Sequence, residues 1–317
     1  LVFWAPEHLK AELQDLFPDA EIKEIPYLKF VQRGFTLDYG ATVAANAALM
    51  LNPYRACARI AKQMRETSVA MLLSDFEPFS SRAAKAIGIP VLQLNHPSVV
   101  TRSFPRDPSA LFHQLAAIAV SRYMTAHSDR TIVCSFFDGD VGPIIRKSLR
   151  ELRVERGNYF VVYMKPLYRD WLESALDKIG RDLFRIFPDP HSDYDKALAG
   201  ARALIAPAGH QSVSEALALG KPVFAIPVSG QGEQTLNAEK LRESGFGDWA
   251  KFEDIAEALP RFIANTEIYE DAIAKNRLTA KRNDRAGFCC EDQTFRAACM
   301  VENFILESKV RPVWKRK

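Results

Sequence analysis

Short apolar runs alternate with amphipathic stretches along almost the whole chain, and this alternation narrows the fold more than any other feature. Val69 to Leu73, Val91 to Leu94, Tyr159 to Tyr163, Ala203 to Ala206 and Val223 to Pro227 are apolar on successive positions. A strand with both faces apolar must be covered on both sides, which is the environment of a parallel sheet between helices. The intervening stretches have helical spacing: His8 to Phe17, Ala41 to Leu51, Tyr54 to Glu66, Ser80 to Ile87, Leu111 to His127, Ile144 to Leu152, Asp170 to Ile179, Tyr194 to Ala199, Gln211 to Leu219, Gln234 to Ser244 and Asp254 to Ala264. Strands are also expected at Leu1 to Trp4, Ala20 to Ile25, Thr131 to Phe136 and Leu183 to Phe187, with Val223 to Pro227 as the last. The fold class is therefore α/β with Rossmann-like βα repeats.

The chain has 317 residues, room for two domains at about 150 residues each. Its densest turn cluster, Asp138-Gly139-Asp140-Val141-Gly142-Pro143, splits the βα series into two halves of similar size. We place the boundary there, giving a first domain over 1–142 and a second over 143–317, with helix 293–307 expected to cross back to the first. Two such halves make a cleft, and ligands of open α/β sheets sit beyond the carboxyl ends of the strands.

Several function classes are excluded early. Lys and Arg total 42 against 39 Asp and Glu, a formal charge of +3 that gives no footprint for nucleic acid. Five cysteines with no C-x-x-C pair argue against a zinc site or a disulfide framework and for a reducing, cytoplasmic setting. No apolar run reaches the ~18 residues of a membrane span.

The segment with most chemistry in it runs from Ala203 to Gly247. Pro207-Ala208-Gly209-His210-Gln211-Ser212 joins a strand end to a helix start. Gly209 permits the tight turn, and the free N–H groups of the helix N-terminus make a site for a phosphate or diphosphate. Gln211 and Glu215 lie four apart on one helix face. From spacing alone, Glu215 is equally a ribose-binding acid or an acid that merely complements the helix dipole. Ser229-Gly230-Gln231-Gly232-Glu233-Gln234, with Asn237 one turn on, follows the next strand at the same edge and carries side chains able to read hydroxyl groups.

Leu183 to Gly247 resembles the donor-sugar site of GT-B glycosyltransferases, in particular the MurG-like group with its family 28 type of donor domain. The shared pattern is a strand, Gly209, then Ser212-Val213-Ser214-Glu215, followed by Glu233-Gln234-Thr235-Leu236-Asn237, where the family has Gln in place of Glu233. The resemblance implies ribose binding by Glu215 and diphosphate binding by Gly209, His210, Gln211 and Ser212. It also implies contact with the donor sugar from Glu233, Gln234 and Asn237, and uracil recognition near Phe187, while Gln231 stays a donor-site candidate from the polar loop it sits in. Gly142-Pro143-Ile144-Ile145-Arg146 resembles the interdomain turn of the family, which implies that Arg146 faces the diphosphate. In the first half, Gly88-Ile89-Pro90-Val91 and the strand end Gln93-Leu94-Asn95-His96-Pro97 resemble the acceptor-side strand. Ser74-Asp75-Phe76-Glu77-Pro78 resembles a branch of predicted glycosyltransferases with that signature. The first strand here resembles the second of the family, so the resemblance implies a first domain lacking the initial strand and Gly-rich loop, incomplete at its N-terminus.

An inverting sugar transfer needs a base for the acceptor proton. Asp75, Glu77 and His96 are the candidates, and each is equally a turn or cap residue. Asp138-Gly139-Asp140 could hold a cation on a diphosphate, but Asp-Gly is also a common turn, and we expect a turn and no essential metal or other cofactor. Ser192 and Asp195 resemble a capping box. The tail from Lys309 to Lys317 has five basic residues and Trp314; it is either a solvated end or a peripheral contact with an anionic membrane, at the inner face for a cytoplasmic protein. The expected reaction is metal-independent transfer from a nucleotide-sugar, UDP-linked by resemblance, to a glycan or lipid-linked acceptor. A GT-B nucleotide-sugar hydrolase or epimerase and a non-catalytic sensor or partner subunit remain as alternatives.

Overall fold

The computed structural model describes residues 1–165, 168, 172–173, 176–280 and 287–308. The expected helix Asp170 to Ile179 lies partly outside these residues, and the basic tail lies wholly outside them. The second half is built on five parallel strands: β8 (Phe160–Tyr163), β9 (Phe184–Phe187), β10 (Ala203–Pro207), β11 (Val223–Ile226) and β12 (Gly247–Trp249), in the order β12-β11-β10-β8-β9. The central β10 and β11 are apolar on both faces because helices cover both. Strand β12 corrects the expectation that the series ends at Val223 to Pro227. Its short sequence, Gly-Asp-Trp, has no apolar run to announce it.

The first half has two parallel sheets. Strands β1 (Val2–Ala5) and β2 (Glu21–Glu24) form one, and β5 (Leu72–Ser74), β6 (Val91–Asn95) and β7 (Arg130–Val133) form the other. Its helices begin where local chemistry satisfies their free amides. Asp38 accepts from Ala41 N ahead of helix Tyr39–Leu51. Glu77 accepts from Phe79 N and Ser80 N ahead of helix Pro78–Ala86, whose first residue is a proline that has no amide to satisfy.

A small antiparallel hairpin, β3 (Gln32–Arg33) and β4 (Thr36–Leu37), leaves the first half and lands on the second. Leu37 N donates to Ser229 O at 2.8 Å and Ser229 N donates to Phe35 O at 3.0 Å. Phe35 stacks on Phe252 with ring centroids 4.7 Å apart. The chain also returns at its far end. Gly142 N donates to Gln293 Oε1, Cys289 N to Phe136 O and Gln293 N to Pro143 O. Helix Thr294–Glu307 then packs Ala297 and Phe304 against Leu92, Ile132 and Val141 of the first half.

The two halves share one core. Val99, Val133, Phe136 and Phe137 bury against Leu204, Ala206, Val213 and Leu236. Helix Gly232–Ser244 approaches helix Leu111–Thr125 so closely that a Cβ on Gly232 would stand 2.5 Å from the backbone oxygen of His113. We therefore expect Gly232→Ala to destabilise the protein by about 1–3 kcal/mol through overpacking. By contrast, a Cβ on Gly209 meets nothing within 4 Å. Gly209→Ala should stay within about 0.5 kcal/mol of the parent. Urea unfolding of the two variants checks the contrast, and equal midpoints would remove Gly232 as a point of backbone contact.

Candidate functional site

Two cavities lie at the carboxyl edges of the strands. The first, about 380 Å³, is lined by Phe187 at the end of β9, Tyr163 at the end of β8, Gln211, Ser212 and Glu215 of helix His210–Ala218, and Arg146. Five residues singled out from the sequence thus meet in one place: Arg146, Phe187, Gln211, Ser212 and Glu215. The helix starts at Gly209 with no side chain capping it, so its first amides are free to face a ligand.

Glu215 is buried and already engaged. Its Oε1 accepts from Arg146 Nε at 2.7 Å and from Gln211 Nε2 at 2.7 Å, and its Oε2 accepts from Arg146 NH2 at 3.1 Å. Two carboxylate oxygens offer about four lone pairs, so Oε2 can accept one more donor. Arg146 also pairs with Asp195 at 2.9 Å. The hydrogen bonds it donates to Glu215 and the charges of both acids hold its guanidinium protonated far above neutral pH. Arg146 therefore orients the acid and is the one cationic side chain among the described residues lining this cavity.

Sequence reasoning missed Tyr163 and Tyr194, which complete an aromatic wall. Tyr194 lies 5.4 Å from both Tyr163 and Phe187, ring centroid to centroid. Tyr163 is hidden in sequence because it ends an apolar strand. Asp193, not the Ser192 and Asp195 pair, caps helix Tyr194–Gly200 by accepting from Lys196 N. Asp140 accepts from Val133 N at 2.8 Å and pairs with Arg102 at 2.6 Å, while Asp138 binds the Ser103 hydroxyl, so both acids of the D-x-D pattern are spent on a turn.

The second constellation joins the halves. His96, at the end of β6, lies face to face on His210 at 3.7 Å. Its Nδ1 is 3.0 Å from Cys134 O and its Nε2 is 3.0 Å from Asn237 Oδ1. The other end of the amide is fixed because Asn237 Nδ2 donates to Ala208 O. A neutral imidazole has one N–H for these two acceptors. Burial nevertheless lowers its pKa from 6.5 to about 4. His210 is likewise held neutral by burial and by His96 beside it. Glu233 Oε1 is 3.8 Å from His96 Nε2, and burial raises its carboxyl from 4.5 to about 7.

Several of the expected site residues already have partners within the protein. Asn237 is fully buried and stitches β6 to the second half, which leaves no amide atom facing the first cavity. Gln234 Oε1 accepts from Val228 N and closes its own loop. Glu77 spends both carboxylate oxygens on its helix cap. Asp75 is exposed and lines neither cavity. Gln231 and Glu233 line the second cavity, described below, instead of the first.

Two Rossmann-like halves built on parallel sheets place the chain in the GT-B class of fold. The chain belongs to glycosyl transferase family 1, whose model matches residues 9–189 and 188–266. An uncharacterized glycosyltransferase of Methanosarcina acetivorans is 34% identical over 136 residues, covering 43% of this chain and 34% of its own length. The chain thus spans about a third of that curated relative. MurG of Acinetobacter baumannii superposes with a TM-score of 0.59 at 14% identity, over 95% of this chain and 90% of that one. Phytolacca americana UGT2, solved with UDP-2-fluoroglucose and pterostilbene, superposes with a TM-score of 0.60 at 14% identity, over 94% and 89%. At these identities the likeness is one of fold. No helix among the described residues is long and apolar enough to cross a membrane.

The buried groups predict a pH signature. His96 is neutral when folded but protonates near 6.5 when unfolded, so its contribution to stability is present above pH 6.5 and is lost as pH falls toward 4, and His210, held below 6.5 by burial and by His96, contributes in the same direction. Glu233 keeps its proton to about 7 when folded and loses it near 4.5 when unfolded, so its contribution runs the opposite way across the same window. Glu233→Gln removes the opposing contribution. We expect the variant to lose roughly 1–3 kcal/mol more stability than the parent between pH 6.5 and 4.5. Denaturant unfolding at several pH values reads this directly, and parallel profiles would show that Glu233 ionises normally.

Proposed function

We propose that the protein transfers a sugar from a nucleotide-sugar, UDP-linked, to an acceptor held by the first half, without an essential metal. One observation carries the reading: an uncapped helix start and a buried, oriented acid face the same cavity at the carboxyl edge of a parallel sheet. The free amides of Gln211 and Ser212 are placed to take the diphosphate, helped by the positive end of the helix dipole. Glu215 Oε2 is placed to accept from a ribose hydroxyl. The wall formed by Phe187, Tyr163 and Tyr194 offers ring faces to a nucleobase.

In the transfer, the acceptor oxygen forms a bond to the anomeric carbon while the bond from that carbon to the diphosphate oxygen breaks. The bonding pair leaves with the diphosphate, and the acceptor hydroxyl gives up its proton. Of the carboxylates near the seam, Glu233 has the geometry to take it: it lines the second cavity and its burial keeps its basicity near neutrality. Glu77 is consumed in its cap and His96 faces carbonyl oxygens on both nitrogens. The charge of the departing diphosphate is met by the helix start and by Arg146. The family match also favours transfer over donor hydrolysis or passive sensing as the reading to test first.

Calorimetric titration with UDP in metal-free buffer tests the donor site. Glu215→Ala should weaken UDP binding by roughly 1–3 kcal/mol, the cost of a hydrogen bond to a charged group. Unchanged affinity in a folded variant would remove Glu215 from the nucleotide site, and binding seen only with added Mg²⁺ would overturn metal independence.

A further inference from the structure

The second cavity, about 430 Å³, lies between helix Tyr39–Leu51, helix Leu111–Thr125 and the loop from Gly230 to Glu233. Its size falls in the range of small-molecule sites, about 300–1,000 Å³. Phe30, Leu37, Met50, Phe76, Val100 and Val120 give it an apolar wall. Val43 and Met50 also line it and are 61% and 43% exposed, so the cavity opens outward along helix Tyr39–Leu51. The polar groups of Thr42 and Asn46 on that helix are tied up, with Thr42 Oγ1 accepting from Val31 N and Asn46 bonding the backbone of Lys29 and Thr42.

Two atoms of the lining stand apart. Gln231 Oε1 and Tyr123 Oη are buried and have no hydrogen-bond partner. Leaving such an atom unsatisfied costs about 1–3 kcal/mol, and buried polar groups are ordinarily paired. The first is an acceptor that lacks a donor, and it lies two residues from Glu233 on the loop that lines the cavity. A free glycan carries hydroxyl groups all around its rings. Against this wall most of them would lose water and gain nothing. An apolar body with a hydroxyl at one end fits instead: it buries its carbons on the two helices and gives its O–H to the Gln231 and Glu233 end.

We propose that this cavity is the acceptor site, and that it takes a molecule with an apolar body whose terminal hydroxyl faces Glu233 and Gln231. This rests on the glycosyl-transfer reading for its purpose and on the cavity alone for its chemistry.

The test uses the full chain and three probes: 1-decanol, its methyl ether and maltotriose, titrated by ligand-observed NMR. Decanol should bind and maltotriose should not. Val43→Trp fills the mouth from an exposed position that tolerates bulk, and Val120→Trp fills the wall. Each should weaken decanol at least about tenfold, a change of about 1.4 kcal/mol, while UDP binding stays as in the parent. The parent should prefer the alcohol to its ether, and Glu233→Leu should erase that preference. Absence of decanol binding, decanol binding that neither Trp variant alters, or maltotriose binding that Val43→Trp blocks would each overturn the assignment. If decanol behaves as stated and UDP does not bind, the cavity assignment stands and the donor reading falls.

Discussion

Asn237 holds the arrangement together. Its amide is fully buried, with the oxygen on His96 of the first half and the nitrogen on Ala208 O of the second. Because one end accepts and the other donates, only one orientation satisfies both, and that orientation fixes where β6 ends relative to the start of helix His210–Ala218. The stacking of His96 on His210 follows from it. Gly232 lets the backbone of the same helix that carries Asn237 sit against His113. The two cavities lie apart: one lies on the sheet edge of the second half, the other between the helices of the first half and the loop that precedes Asn237.

Much of the fold was legible in sequence because parallel strands covered on both faces leave near-continuous apolar runs. Strands β6, β8, β10 and β11 stand within a residue or two of where their apolar content puts them. The elements that escaped have no such signal. The hairpin from Gln32 to Leu37 has two-residue strands, and β12 holds only Gly247, Asp248 and Trp249, with polar Asp248 at its centre. Their positions are set by tertiary partners, Ser229 for the hairpin and Val223 to Ala225 for β12.

The site divides in the same way. Gly209, Gln211, Ser212 and Glu215 are readable because a strand, a tight turn and a helix start are local features, and the chemistry of the turn is local too. Gln234 and Asn237 look like ligand-reading amides in a linear pattern, yet His96 and Ala208 O engage both ends of Asn237 and Val228 N engages the oxygen of Gln234. Whether a polar side chain faces a ligand or the protein depends on neighbours up to 141 residues away in the chain, as for His96 and Asn237. Glu233 shows the converse. One position before Gln234, it points into a cavity whose other walls come from helices with no motif at all.

The hairpin fastens the first half to the loop at Ser229 and to Phe252, a second attachment beside the return of the chain at Gln293. The cavity on the sheet edge and the cavity along helix Tyr39–Leu51 share no lining residue. A molecule seated in one cavity therefore need not displace a molecule seated in the other.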